Sequence, residues 1–226
     1  MGATDLTEQK SVGDRERVLD VVDRVCELCF GLFMALTFVG TVSAVGAGLD
    51  AGHKMFFTAL GCNLAWGLAD AVMYLVRTLV ARGRRVTLAH AVRSEPDAAA
   101  GVQTLRDAMA GWLKPLIGDT ELESIRRRVT ARPDVPQRAV FALDDFIGAV
   151  GIFLLVVVAT FPVALPFLLI ANVATALIVS RVLTVAMLFG SGMALGHYAG
   201  FSGWQAGLAM AALGILLTIA IIALGG

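Results

Sequence analysis

The sequence is poor in charge. Asp, Glu, Lys and Arg make up 16% of its 226 residues, where soluble domains carry about 25%. The 18 basic and 18 acidic residues cancel to a formal net charge of zero, which excludes nucleic-acid binding driven by bulk positive charge. Cysteine is scarce too: Cys26, Cys29 and Cys62 cannot staple a secreted domain of this length. His53, His90 and His197 show no His-x-x-x-His spacing, so neither a metalloprotease nor an imidazole cage is signalled. No Gly-rich phosphate loop precedes a helix and no Gly-x-Ser-x-Gly elbow occurs. With neither a nucleophile–base pair nor a metal triad, the chain is expected not to be an enzyme. What it has instead is apolar bulk, 58% hydrophobic residues and a mean hydropathy of +0.79. That composition excludes a disordered chain and argues against an ordinary soluble enzyme.

The apolar residues lie in runs. Residues 28–49 carry no charge, residues 55–76 carry only Asp70, residues 146–180 carry none, and residues 182–226 carry none beyond His197. A helix crosses a bilayer with about 20 apolar residues. The third run is too long for one crossing and is interrupted by Pro162 and Pro166, which suit a tight turn. Crossings are therefore predicted at 27–48, 54–78, 144–162, 165–190 and 203–224. A soluble bundle would need polar outer faces that these runs lack. The first run follows a polar and charged stretch and is expected to be a permanent span rather than a signal peptide. Lys10, Arg15, Arg17 and Arg24 precede it, and residues 77–143 hold twelve of the 18 basic residues. Basic residues stay on the cytoplasmic side, which places the N-terminus and the 77–143 segment inside and the C-terminus outside. The expected fold is an all-α integral membrane protein with five transmembrane helices and a small cytoplasmic helical insertion between helices 2 and 3. Its segments are 1–26 (cytoplasmic), 27–80 (helices 1 and 2), 81–143 (insertion) and 144–226 (helices 3 to 5), in a plasma or inner membrane.

Within the insertion, Asp97 is expected to cap a helix running to about Leu113, with Val102, Leu105, Met109, Trp112, Leu113 and Leu116 as one apolar stripe. Thr120 and Glu123 form a capping-box pattern, with Leu122, Ile125 and Val129 facing inward. Arg126-Arg127-Arg128 either meets anionic head groups or solvates one face.

Ionisable groups inside a membrane are costly and are read as functional by default. Asp23, Glu27, Met34, Thr37 and Thr41 share one face of the first helix, and Asn63, Trp66, Asp70, Met73 and Arg77 share one face of the second. Turned toward each other, these stripes would line a cation path. Each residue also has a plainer reading: head-group solvation for Asp23 and Glu27, charge pairing of Asp70 with Arg77 or Arg181, interhelical bonding for Asn63, and apolar filling for Met34 and Met73. Arg181 is expected to pair with a carboxylate of another helix or to snorkel toward the cytoplasm. Asp144 and Asp145 stand where the third helix begins, either complementing its dipole or forming a cation-collecting mouth. Cys26-x-x-Cys29 lacks the second pair of a structural zinc site and reads as small apolar residues. Gly192-x-x-x-Gly196 and Gly203-x-x-x-Gly207 permit close helix contact.

Some of these stretches carry a resemblance. Phe30-Gly31-Leu32, Asn63-Leu-Ala-Trp-Gly67-Leu-Ala-Asp70 and Ala159-Thr-Phe-Pro-Val-Ala-Leu-Pro166, set in the expected five-helix architecture, resemble the vacuolar iron transporter family. The resemblance is architectural over most of the chain and extends to motifs over part of it. It implies a homodimer that exports Fe²⁺ or Mn²⁺ from the cytoplasm in exchange for H⁺, with no permanently bound cofactor. The family's first-helix Asp has no Asp-Gly match in place, and Glu27 or Asp23 stands nearest. Asn63 stands at the second-helix carboxylate, with Asp70 two turns on. The insertion holds more Arg than acid, where the family's is rich in Glu and Met. A divergent metal transporter is thus the first expectation, and a non-transporting membrane scaffold or assembly protein the second. Lipid and a second copy are the expected partners, and nucleic acid is not.

Overall fold

The computed structural model describes residues 21–45 and 51–223, without the side chains of Val21, Phe38 and residues 40–45. Lys10, Arg15 and Arg17, on which part of the sidedness rests, and the side chain of Thr41 lie outside the described residues. Every long element described is an α-helix: α1 (Val21–Val45), α2 (Ala51–Ser94), α3 (Ala98–Ala108), α4 (Asp119–Ala131), α5 (Leu143–Ala164), the single turn α6 (Pro166–Leu169), α7 (Val173–Ala199) and α8 (Gly203–Ala223). Among the described residues, four stretches are long and apolar enough to cross a membrane: Ala51–Ser94, Leu143–Leu169, Val173–Ala199 and Gly203–Ala223. Their outer faces leave Val158, Ile178, Val182 and Leu216 exposed, a surface that suits lipid rather than water.

The described residues divide into two compact units, 21–45 and 51–73 with 144–223, and 74–143. In the first unit, α1 and α2 pack on α5. Cys29, Leu32 and Ala35 of α1 join Ala159 and Val163 of α5 and Leu188 of α7 in one buried cluster. Val39, Met55, Phe56, Ala59, Ala164, Phe167 and Ala176 form another. Glycine lets the backbones approach. A Cβ on Gly31 would stand 3.2 Å from the Val156 carbonyl oxygen, and one on Gly52 would stand 2.6 Å from that of Phe167. The α7–α8 hairpin is sealed in the same way by Gly192, Gly196 and Gly207. Its turn ends α7 at Gly200, whose φ of 75° is left-handed, and the Phe201 N–H donates to the Gly196 carbonyl at 2.9 Å, as at many helix C-termini.

The expected break at Pro162 falls later. Helix α5 runs through Pro162 to Ala164, and Pro166 opens α6 at a position where no N–H is required. The reversal comes at Ile170–Asn172, where Asn172 Oδ1 accepts from the Thr175 N–H at 3.1 Å and starts α7. A proline inside a buried apolar helix removes one hydrogen bond, which its neighbours can absorb; an asparagine cap is the stronger boundary signal. The next helix therefore spans 173–199 rather than 165–190. Likewise α2 extends to Ser94, well past residue 78.

In the second unit, Asp97 caps α3 as expected, accepting from the N–H groups of Ala99 and Ala100. The apolar stripe stops short. Helix α3 ends at Ala108, and beyond the turn Trp112 and Leu116 are 71% and 72% exposed. The buried core is Val92 of α2, Val102 and Leu105 of α3 and Leu122 of α4. The capping box is not formed either. Gly118 is the N-cap of α4, and Glu123, one turn inside the helix, accepts from Arg126 Nε at 2.6 Å, Arg126 Nη2 at 2.9 Å and Arg127 Nε at 2.8 Å. These bonds, Arg126 first and Arg127 second, draw the Glu123 carboxyl from 4.5 down to about 2. Arg106 closes the α3–α4 link, donating to the carbonyls of Lys114 and Ile117 at 3.3 and 3.4 Å and pairing with Asp119.

Candidate functional site

Asn63 is fully buried in the first unit, at 0% exposure, as are Thr160 and Thr184. Its Nδ2 donates to the Gly31 carbonyl of α1 at 3.2 Å and to Thr160 Oγ1 of α5. Thr160 Oγ1 in turn donates to the Val156 carbonyl at 3.0 Å. Both neighbours of Nδ2 are therefore acceptors, which fixes the orientation of the amide. Asn63 Oδ1 is left buried with no donor among the described residues. Gly31 and Gly67 make the close approach possible: a Cβ on Gly67 would stand 3.2 Å from the Phe153 ring and 3.2 Å from its carbonyl oxygen.

Three contacts fix how α1 and α2 align. Val39 clusters with Met55, Phe56 and Ala59, Asn63 reaches Gly31, and the Phe30 and Trp66 rings meet edge to face at 5.8 Å. These define an antiparallel register that sets Glu27 level with Leu68 and Asp70 level with Val25, so the two carboxylates differ in height by only about 3 Å. Glu27 and Asp70 are both partly buried, and Asp70 Oδ2 is shielded from solvent. The contact of Thr160 with Asn63 extends the register to α5 and puts Asp145 on the same side of Asn63 as Asp70, about 12 Å further along. Asp145 is 5% exposed, whereas Asp144 beside it faces out. On the opposite side of Asn63, the seam is filled by Val39, Met55, Phe56, Ala164 and Phe167.

Of the residues singled out by sequence, Asn63 sits in the contact of α1, α2 and α5, and helix geometry sets Glu27, Asp70 and Asp145 at heights on one side of it. Thr37 back-bonds to the Phe33 carbonyl at 2.8 Å, Met34 is partly buried, Asp23 is exposed, and Met73 is 51% exposed. Arg77 is exposed in the second unit. Arg181 lies between α7 and α8 and makes no ion pair among the described residues. Among the described residues, no three of His, Cys, Asp and Glu gather closely enough to hold a metal ion. Cys29 is buried among apolar residues, while Cys26 is exposed.

Sequence reasoning passed over Thr160, Ser180 and Thr184, all buried. Ser180 Oγ donates to the Val163 carbonyl at 2.7 Å and Thr184 Oγ1 to the Ser180 carbonyl at 2.8 Å. Their signal is the four-residue step of Ala176, Ser180, Thr184 and Leu188, which marks the inward face of α7.

The described chain is all-helical, and its four long apolar helices are those of a multi-pass membrane protein. No protein-family model matches the chain, and no curated protein matches it.

Proposed function

We propose that the protein is a divalent metal cation transporter whose ion route follows the α1–α2–α5 seam. The observation that carries this reading is the asymmetry of that seam about Asn63. On one side stand Asp145, Asp70 and Glu27; at the centre is a buried amide oxygen with no donor among the described residues; beyond lies a packed apolar cluster. An acidic approach ending on an oxygen ligand and a closed apolar plug is the pattern of a one-side-open carrier. Carboxylate, amide and hydroxyl oxygens suit a hard or borderline cation, and Met34 would add preference for Fe²⁺ or Mn²⁺ over Mg²⁺. Protonation of Glu27 and Asp70 would release the ion and couple export to H⁺ entry. In this reading α1 completes five crossings, the acidic side is cytoplasmic, the chain works as a homodimer in the cell membrane, and the likeness to vacuolar iron transporters is one of mechanism.

The test is metal-dependent proton flux in proteoliposomes. Asp70→Asn is expected to abolish it while the protein stays folded, and Glu27→Gln to reduce it strongly. Unchanged flux in Asp70→Asn removes Asp70 from the mechanism. A second reading, a non-transporting scaffold, is favoured by Ser180, whose hydroxyl ties α7 to the Val163 carbonyl of α5 as a packing contact would. Under it, overproducing the protein leaves cellular tolerance to iron and manganese salts unaltered.

A further inference from the structure

A groove of about 570 Å³ runs between α7 and α8, within the size range of small-ligand sites. Val185 and Phe189 of α7 and Ala211, Ile215 and Ile219 of α8 make its walls, and Arg181 is its one charged residue. We propose that this groove binds an anionic phospholipid, with an acyl chain along the apolar walls and the phosphate on the Arg181 guanidinium.

Three observations carry the assignment. Among the described residues Arg181 makes no ion pair, and neither α7 nor α8 contains an Asp or Glu. A guanidinium at membrane depth with no counter-charge is costly, and its planar fork matches a phosphate. Its height also fits. Arg181 lies eight residues into α7, about 12 Å from the helix start. Helical side chains tilt toward the N-terminus, so the stem lies along the wall and the charged end reaches the interface at the α7 N-terminus, the outer one under the charge-based sidedness rather than the expected cytoplasmic one. The groove then continues from Arg181 to Phe189, about another 12 Å into the hydrocarbon, as an acyl chain would. A second copy is a poorer occupant, because two such faces would set Arg181 against Arg181 with no carboxylate on either helix to neutralise them.

Trp204 supplies a reporter. Its ring meets that of Phe189, a groove wall, edge to face at 5.1 Å. The full chain carrying Trp66→Phe and Trp112→Phe keeps Trp204 as its single tryptophan and is reconstituted in phosphatidylcholine vesicles doped with brominated-chain phosphatidylglycerol or brominated-chain phosphatidylcholine. Brominated phosphatidylglycerol is expected to quench Trp204 with about fivefold higher apparent affinity, the effect of one cation at a lipid surface. Arg181→Gln should bring the ratio to one, and Arg181→Lys should keep most of it. Unlabelled phosphatidylglycerol should displace brominated phosphatidylcholine from the protein that retains Arg181, which reads the site even where the Gln variant does not fold. Equal quenching by the two lipids, a preference that survives in Arg181→Gln, or quenching that fades as protein density rises because a second copy fills the groove would each overturn the proposal.

Discussion

Asn63 concentrates the polar energetics of the first unit in one side chain. Its two donated bonds tie α2 to α1 and to α5, and interhelical bonds inside membranes contribute about 0.6 kcal/mol each, up to about 1.7 kcal/mol. Asn63→Leu, of similar volume, is therefore expected to lower stability by about 1–2 kcal/mol, measured by denaturant unfolding in mixed micelles. Thr160→Val removes the same contact from the other side, so the double variant should fall short of the sum of the two singles. Additive losses would show that the two residues act separately. Asn63 was legible as a lone amide in an apolar run. Thr160 was not, because a hydroxyl that can satisfy itself on its own helix carries no obligation to a partner and so leaves little mark on the pattern. The alignment of Glu27 with Asp70 was hidden for another reason: shared faces follow from spacing, whereas relative height between helices follows from contacts such as Phe30 with Trp66.

Glycine decides how close the α7–α8 pair can come. A Cβ on Gly192 would stand 2.6 Å from the Ala206 carbonyl oxygen and 2.9 Å from the Gly207 Cα, while Gly190, two residues earlier, has nothing within 4 Å. Gly192→Ala should force the helices apart and cost about 1–3 kcal/mol, whereas Gly190→Ala should be neutral or gain up to about 1 kcal/mol from helix propensity. Thermal unfolding of the two variants side by side checks this, and equal behaviour would mean that the seam is not limited by backbone contact. The glycine spacing was readable in advance, but which glycines face the seam was not. In the second unit, α4 depends on an ion pair that the sequence disguised as a cap. Because the Glu123 carboxyl is lowered to about 2 in the folded chain from 4.5, its contribution is complete above pH 4.5 and is lost as pH falls toward 2. Amide-exchange protection over residues 119–131 should decline across that window, and Glu123→Gln should flatten the decline. A wild-type profile that is already flat would separate the helix from its ion pair. Glu123 suits Thr120 by spacing, yet Arg126 and Arg127 offer it charged donors one turn ahead, and charge-assisted bonds outcompete a neutral cap.

At the scale of the whole chain, four of the five expected crossings coincide with helices long and apolar enough to span a membrane, and the one expected at 27–48 is not among them. Lipid demands long helices with no polar outer face, and the turn near residue 170 falls beyond Pro162 and Pro166 because proline is a weaker stop inside a membrane than in water. The distribution of charge along the chain predicts a sidedness. Residues 77–143 carry twelve basic residues, while the link from α5 to α7, residues 165–172, carries none. The positive-inside rule predicts from that asymmetry a cytoplasmic second unit and an α5–α7 link outside. With α1 as a crossing, the same rule predicts the C-terminus after α8 outside. A reporter that is active only beyond the cytoplasm should therefore be silent when inserted at Gly111, an exposed glycine with nothing within 4 Å, and active when fused after Gly226. Were α1 to lie along the membrane surface instead, the four remaining crossings would still hold the second unit inside if α2 entered from outside. The N-terminus alone would change sides. Arg24→Cys separates the two arrangements: a membrane-impermeant thiol reagent should leave it unlabelled in intact cells and label it once the cells are permeabilised. Labelling of Arg24→Cys in intact cells, in a background lacking Cys26, Cys29 and Cys62, would reduce the count of crossings to four and remove α1 from any cytoplasmic entrance to the seam.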